Sequence, residues 1–207
     1  EEQDEWALHS QLAAVEAMKA GRLDDEIFPV EIREGKKISV LERDEGPRPD
    51  TTIEGLAKLP PVFGHKSTVT GKPGSVTAGN APGLNDGAVA VVVGSMEAAK
   101  RANVEPLARI VATAAVAGPS REIATIPAKA ITAVLAVAGW DLEDVDLFEV
   151  NEAFAAVPLT TIEVLGRRGA KRQRLYERTN VNGGAVALGH PVGATGARLV
   201  LTRRVSR

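Results

Sequence analysis

Apolar residues at Trp6, Ala7, Leu12, Ala14, Val15 and Met18 recur at roughly helical spacing between Asp4 and Ala20, with Gly21 following. That spacing predicts an amphipathic helix closed by a glycine cap. Ile27 to Ile32 alternates like a strand, and its Pro29 restricts it to a sheet edge, where a missing donor is tolerated. From Arg33 to Pro61 charge, proline and glycine dominate, which predicts a surface excursion with one short helix near Thr52 to Lys58. The unbroken apolar run Ala88 to Val93, between Gly87 and Gly94, suits a strand buried on both faces. Ser95 can then cap a helix from Met96 to Ala102.

Leu107 to Ala117 reads as another buried strand, and Pro127 sits well in the first turn of a helix that ends at Gly139. Strands at Val145 to Val150 and Asn180 to Ala185 alternate with helices at Asn151 to Leu165 and Gly193 to Thr202. This alternation predicts an α/β layered architecture with a largely covered sheet.

Composition narrows the partners. With 25 basic and 27 acidic residues the net charge is -2, which exerts no general pull toward nucleic acid or anionic lipid. The basic stretch Arg167, Arg168, Lys171, Arg172, Arg174 and Arg178 offers Tyr176 alone as a stacking ring, so it reads as a solvated connection. No nucleic acid and no membrane partner are expected. No run of eighteen apolar residues occurs, and Glu1 to Glu5 is the opposite of a basic, apolar signal peptide, so a cytoplasmic protein is the expectation. The chain starts without Met and inside a helical pattern, which suggests a fragment. Zero cysteine excludes disulfides and thiolate metal sites, and three scattered histidines form no ligand cluster, so no metal is expected.

Two residues stand out for chemistry. In Gly189-His190-Pro191 the proline disfavours helical geometry at the histidine, and the glycine permits a tight turn, so the imidazole is displayed on a loop before the last helix. A lone histidine is more often structural, yet this context is uncommon. Asn151 follows a predicted strand, at the end where open α/β sheets place ligands, although an asparagine there also makes a good helix cap. Glu152 is read as favouring a helix amino terminus electrostatically rather than as a base. The glycines at 183, 184, 189, 193 and 196 match neither a dinucleotide fingerprint nor a phosphate loop, so close packing explains them better.

Taken together, Asn151-Glu-Ala-Phe154, the segment Asn180-Val-Asn-Gly-Gly-Ala-Val-Ala-Leu-Gly-His-Pro-Val-Gly-Ala-Thr-Gly-Ala-Arg198 and Thr77-Ala-Gly-Asn-Ala-Pro-Gly-Leu-Asn-Asp-Gly87 resemble the thiolases. These enzymes make or cleave 3-ketoacyl-CoA through a cysteine acyl-enzyme. The resemblance implies a thiolase-like layered αβα half with part of a loop domain. Residues 1–77 would be the loop-domain segment, and 78–207 the carboxyl-half domain, truncated before its last strands. It implies that His190 activates the nucleophile and polarises the thioester, and that Asn151 holds a water completing the oxyanion hole. Phe154 and Ala78 would line the pantetheine path, and Arg48 and Phe63 fall near positions used against coenzyme A. Pro82 stands where the family commonly has a serine that contacts coenzyme A.

Coenzyme A or acyl-CoA is thus the expected substrate, with no covalently bound cofactor. A homo-oligomer, or a missing amino-terminal half, is the expected protein partner. Both catalytic cysteines of the family fall in segments this chain does not contain. The stretches Gly71 to Thr77 and Arg167 to Thr179, and the ending Arg203 to Arg207, depart from the family pattern. The expectation is a partial acyl-CoA acyltransferase that is inactive alone; the alternative is a non-catalytic coenzyme A-binding or regulatory protein.

Overall fold

In a computed structural model of the chain, residues 1–64, 66, 71–167 and 169–202 are described. The first helix, α1 (Glu2–Lys19), opens on Glu2, Asp4 and Glu5 and closes on Lys19, charges that complement the helix dipole at both ends. Its end is a Schellman turn: Gly21, at φ 70, donates to the Met18 carbonyl at 3.2 Å, and Arg22 donates to that of Ala17 at 2.9 Å. The buried face is Trp6, Ala7, Ser10, Gln11, Ala14 and Ala17. Leu12, part of the expected apolar stripe, is 45% exposed, because the two polar side chains on the buried face have hydrogen-bond partners in the interior.

The excursion after α1 contains more structure than its composition predicts. Strand β1 (Val30–Glu34) pairs antiparallel with β2 (Lys37–Leu41) across a turn where Gly35 has φ 63. Both strands are exposed on both faces, and β2 is short, with Lys37-Ile38-Ser39-Val40 alternating inside a stretch otherwise dominated by charge. Helix α2 (Ile53–Ala57) is capped by the Thr52 hydroxyl, as its position predicts. From Pro61 to Thr77 the chain folds back on itself. Isolated antiparallel bridges join Pro61 to Thr77 and Lys66 to Pro73, so the unusual stretch Gly71 to Thr77 is tied to Pro61 and Lys66.

Helix α3 (Met96–Ala102) is capped by the Ser95 hydroxyl, and α4 (Ile126–Ala138) has Pro127 in its first turn and Gly139 at φ 69 as its cap. The strands expected at Ala88 to Val93 and Leu107 to Ala117 do not form. Val92 is fully exposed and Leu107 is 62% exposed, with no neighbouring strand among the described residues to pair with them. Apolar content favours burial, but a strand exists only where a second strand supplies hydrogen bonds. Val145 to Val150 makes one parallel bridge, Phe148 with Thr179, and Asn180 to Ala185 turns instead of extending.

Helix α5 (Ala156–Gly166) and α6 (Ala170–Glu177) form an antiparallel hairpin. Helix α6 replaces the expected solvated loop. Its basic residues are engaged locally: Arg172 pairs with Glu163 at 3.0 Å and Glu2 at 3.3 Å, and Lys171 pairs with Glu143 at 2.8 Å. Such exposed pairs contribute little individually. Two helices complete the chain, α7 (Ala185–Leu188) and α8 (Val192–Thr202); residues 203–207 lie outside the described residues. Trp6, Val145, Phe148, Val150, Val157, Ile162, Leu175 and Val186 form the buried core, where α1, α5, α6 and α7 meet the Val145 to Val150 segment. Each such side chain stabilises the fold by roughly 1.5–3 kcal/mol on burial.

Candidate active site

The core holds the two segments that carry Asn151 and His190. Phe148 donates to the Arg178 carbonyl at 2.8 Å, and Asn180 donates to that of Phe148 at 2.9 Å. The ladder then continues through a side chain. The Asn180 amide accepts from the Val150 backbone and donates to its carbonyl, both at 2.8 Å, so one side chain replaces the next peptide of a partner strand. This explains why residue 180 turns away, at φ 52, without orphaning Val150.

Beyond Val150 the chain does not enter a helix at once, because α5 starts five residues later than Asn151. Asn151 is therefore not the cap; Ala155 occupies that position. Glu152 does serve a helix amino terminus, but that of α7 rather than its own. Its fully buried carboxylate accepts from the Val186 backbone at 2.9 Å and from the Ser10 hydroxyl at 2.8 Å on Oε2. On Oε1 it accepts from the Trp6 indole and the Asn180 amide, each at 2.9 Å. One carboxylate thus ties α1, α7 and the two core segments together. Gly184 is required beside it, since a Cβ there would lie 2.2 Å from the Glu152 carboxyl carbon. Gly183 is required for the approach of α1: a Cβ would lie 2.6 Å from that of Ala14.

Helix α7 ends at Gly189, whose φ of 92 turns the chain and delivers His190. The imidazole Nε2 lies 3.3 Å from Asn151 Nδ2, and Nδ1 lies 2.8 Å from the Thr195 hydroxyl. Asn151 Oδ1 is buried with no hydrogen-bond partner among the described residues. Burial, and secondarily the positive charge of Arg198, hold the imidazole below its ordinary pKa. A largely neutral ring at neutral pH, fixed at both nitrogens and beside an amide, can accept a proton and then donate to a nearby oxyanion.

The remaining expected residues lie elsewhere in the described structure. Phe63 and Phe154 meet edge-on, with ring centroids 6.4 Å apart. Ala78 is exposed on the Thr77 to Asn80 turn, in which Asn80 Oδ1 accepts from the Thr77 backbone at 2.9 Å. That turn is joined to the Phe154 segment, because the Asn80 carbonyl accepts from Ala155 at 2.9 Å. Arg48 is held through its backbone, which donates to Gln11 Oε1 at 2.7 Å, while its side chain is exposed. Neighbouring Gly46 crosses α7 so closely that a Cβ would lie 2.3 Å from the Ala187 carbonyl oxygen. Asn85 packs over Gly189, and Gly87 over Pro191, so the Thr77 to Gly87 loop lies along the His190 turn.

A family model for the thiolase C-terminal domain matches residues 104–206, and one for the thiolase N-terminal domain matches residues 1–97. This chain belongs to the thiolase family.

An acetyl-CoA acetyltransferase of Pseudomonas aeruginosa is 47% identical to this thiolase chain over 205 residues, covering 98% of it and 48% of the relative. The crystal structure of the Bacillus anthracis acetyl-CoA acetyltransferase superposes with a TM-score of 0.88 at 44% identity, covering 99% of this chain and 48% of that one. Human mitochondrial 3-ketoacyl-CoA thiolase gives a TM-score of 0.85 at 43% identity, with the same coverage. The fold is therefore thiolase-like α/β, and the thiolase chain spans about half the length of the relatives it matches.

Among the described residues no group of three or more acidic or histidine side chains could hold a metal ion, and no helix is long and apolar enough to cross a membrane. Three members of the site were not assigned their roles by sequence reasoning. The sequence pattern predicts a strand at Asn180 and a helix amino terminus beside Glu152, and gives Thr195 no role of its own. A hydroxyl five residues after the histidine was the available signal for Thr195, since Pro191 starts a helical turn between them.

Proposed function

We propose that this chain supplies the histidine and asparagine wall of a thiolase acyl-transfer site, in which His190 is the proton acceptor and Asn151 the oxyanion donor. The observation that carries the reading is the 3.3 Å contact between Asn151 Nδ2 and His190 Nε2 on two segments of a common core. The implied reaction is condensation of two acetyl-CoA, or thiolysis of a 3-ketoacyl-CoA. His190 Nε2 takes the proton of a thiol, the thiolate attacks the thioester carbonyl, and the carbonyl oxygen becomes an oxyanion. Imidazolium Nε2–H and a water held by Asn151 stabilise that oxyanion, and the same proton then leaves with the departing thiolate.

The 207 residues contain no cysteine, so the nucleophilic thiol comes from outside them and the chain alone does not turn over. Phe63, Phe154 and Ala78 would border the pantetheine arm, and Arg48 the nucleotide end of coenzyme A, which is a substrate and not a resident cofactor. The domain division at Thr77, a homo-oligomeric assembly or a complementary half, and a cytoplasmic location belong to the same proposal. On location, the relatives include bacterial and mitochondrial proteins.

Acetoacetyl-CoA thiolysis tests the reading in two forms. The 207-residue chain should match a His190→Ala control at background; a rate well above that control overturns the assignment of inactivity. Grafted in place of the matching half of the Pseudomonas relative, the chain should turn over and lose about 100- to 10,000-fold on His190→Ala. An active chimera indifferent to His190→Ala overturns the catalytic role. The edge-on phenylalanine pair also favours a second reading, a coenzyme A-binding protein without catalysis. Calorimetric titration of the chain with coenzyme A separates the two: saturable binding with no chimera activity supports the second.

A further inference from the structure

Thr195 is 1% exposed, and its Oγ1 touches two groups: His190 Nδ1 at 2.8 Å and the Pro191 carbonyl oxygen at 3.1 Å. A hydroxyl carries one proton. The carbonyl can only accept, so the Thr195 proton points to Pro191 and a lone pair faces the imidazole. Nδ1 must then carry a proton, and Nε2 is left as a lone pair. That assignment agrees with the other side of the ring, where Asn151 presents its amide nitrogen, a donor, to Nε2 at 3.3 Å. Free histidine favours the opposite tautomer, with the proton on Nε2.

We infer that Thr195 is a positioning residue that holds His190 in the Nδ1–H tautomer, keeping Nε2 an unprotonated acceptor aimed at Asn151. The inference rests on the reading of His190 as a base, and it adds the reason the base faces the right way. Thr195 touches no substrate. It acts through the ring, and its own orientation is set by the first turn of α8, where Ala194 and Thr195 donate from their backbones to the same Pro191 carbonyl at 2.8 and 3.0 Å. With three donors converging on that carbonyl, the competing arrangement is clear: the hydroxyl turns to donate to Nδ1, Nε2 gains the proton, and the Asn151 amide inverts so that Oδ1, now without a partner, accepts it.

Nitrogen-15 NMR of the histidine-labelled 207-residue chain distinguishes the two, above the pH at which the imidazoles titrate. The expected spectrum has a pyrrole-type Nδ1 and a pyridine-type Nε2 for His190, assigned by their loss in His190→Gln. Thr195→Val, which keeps the shape and removes the acceptor, should move the tautomer ratio toward Nε2–H by about five- to tenfold, and Thr195→Ser should restore it. A pyridine-type Nδ1 in the parent chain overturns the inference, as does a ratio unchanged by Thr195→Val. If Thr195→Val does not fold, the parent and Thr195→Ser spectra still decide, because both must show Nδ1–H. The readout needs neither coenzyme A nor turnover. Its failure therefore leaves the thiolysis reading standing, and failure of the chimera assay leaves the tautomer assignment standing.

Discussion

Replacing Glu152 with glutamine keeps the volume of the most connected side chain in the core and removes its charge. The parent carboxylate accepts four hydrogen bonds, all from neutral donors. Glutamine retains one acceptor oxygen. If its amide nitrogen replaces Oε1, it faces the Trp6 indole N–H and the Asn180 amide, which is fixed by its two bonds to Val150. If the nitrogen replaces Oε2, Ser10 can rotate its hydroxyl and accept, but the Val186 backbone N–H loses its partner. The second arrangement is the less costly. It leaves three bonds without charge assistance and strands one buried donor, about 2–3 kcal/mol.

An opposing term exists, because neutralising a fully buried carboxylate also removes its desolvation cost. Four well-placed donors should outweigh that cost, so Glu152→Gln is expected to destabilise. Trp6 is fully buried and bonded to Glu152, so indole fluorescence read in a Trp140→Phe background reports on the locus during urea unfolding. With a urea dependence of roughly 2 kcal/mol per molar, the midpoint should fall by about 1 M. A midpoint that is unchanged or higher would refute the reasoning: desolvation would then exceed the hydrogen bonding, and the carboxylate would be retained for something other than stability.

Gly184→Ala places a methyl 2.2–2.5 Å from the same carboxylate, with the backbone at an ordinary φ of -138, so the effect is purely spatial. It should cost about 3 kcal/mol and lower the urea midpoint at least as far as Glu152→Gln. Stability should also depend on pH through His9 and His190, whose pKa values burial holds below the ordinary 6.5. The groups facing His9 are Trp6, Tyr176, the Thr179 carbonyl and Glu152; the last two oppose the downward shift without cancelling it. As pH falls below about 6.5 the unfolded chain binds protons first. The contribution of both histidines is therefore complete above that pH and is lost as pH falls through their folded-state values. Glu26 and Asp44, whose carboxyls desolvation holds above their ordinary values, act in the opposite sense, so the histidine contribution is read by difference. Between about pH 7.5 and about pH 5.5 the parent urea midpoint should fall more, or rise less, than that of His9→Phe, and parallel profiles would contradict the assignment.

Much of the helical framework was legible locally. The acidic start and Gly21 end of α1, the Thr52 and Ser95 caps, Pro127 and Gly139 are read by short-range rules, because capping depends on residues within one turn. The Asn151 and His190 motifs were legible as well, through family resemblance. The β2 strand and helix α6 were not. Strand β2 alternates over four residues only, between charged and glycine-rich neighbours, and α6 is a strongly polar helix whose support is its packing on α5 and its ion pairs with Glu163, Glu2 and Glu143.

The sequence by itself determined the family and the absence of a thiol from these 207 residues, since these follow from residue identity and spacing. Only the tertiary structure decided that Ala88 to Val93 and Leu107 to Ala117 remain unpaired, because strand formation depends on a neighbour that no local pattern reveals. It alone brought Glu152 beneath α7, put the Asn180 amide in place of a peptide, and set Thr195 against the imidazole. The first two of those contacts join residues 34 and 30 positions apart, and in the third the hydrogen-bond direction is a property of the geometry in the folded chain.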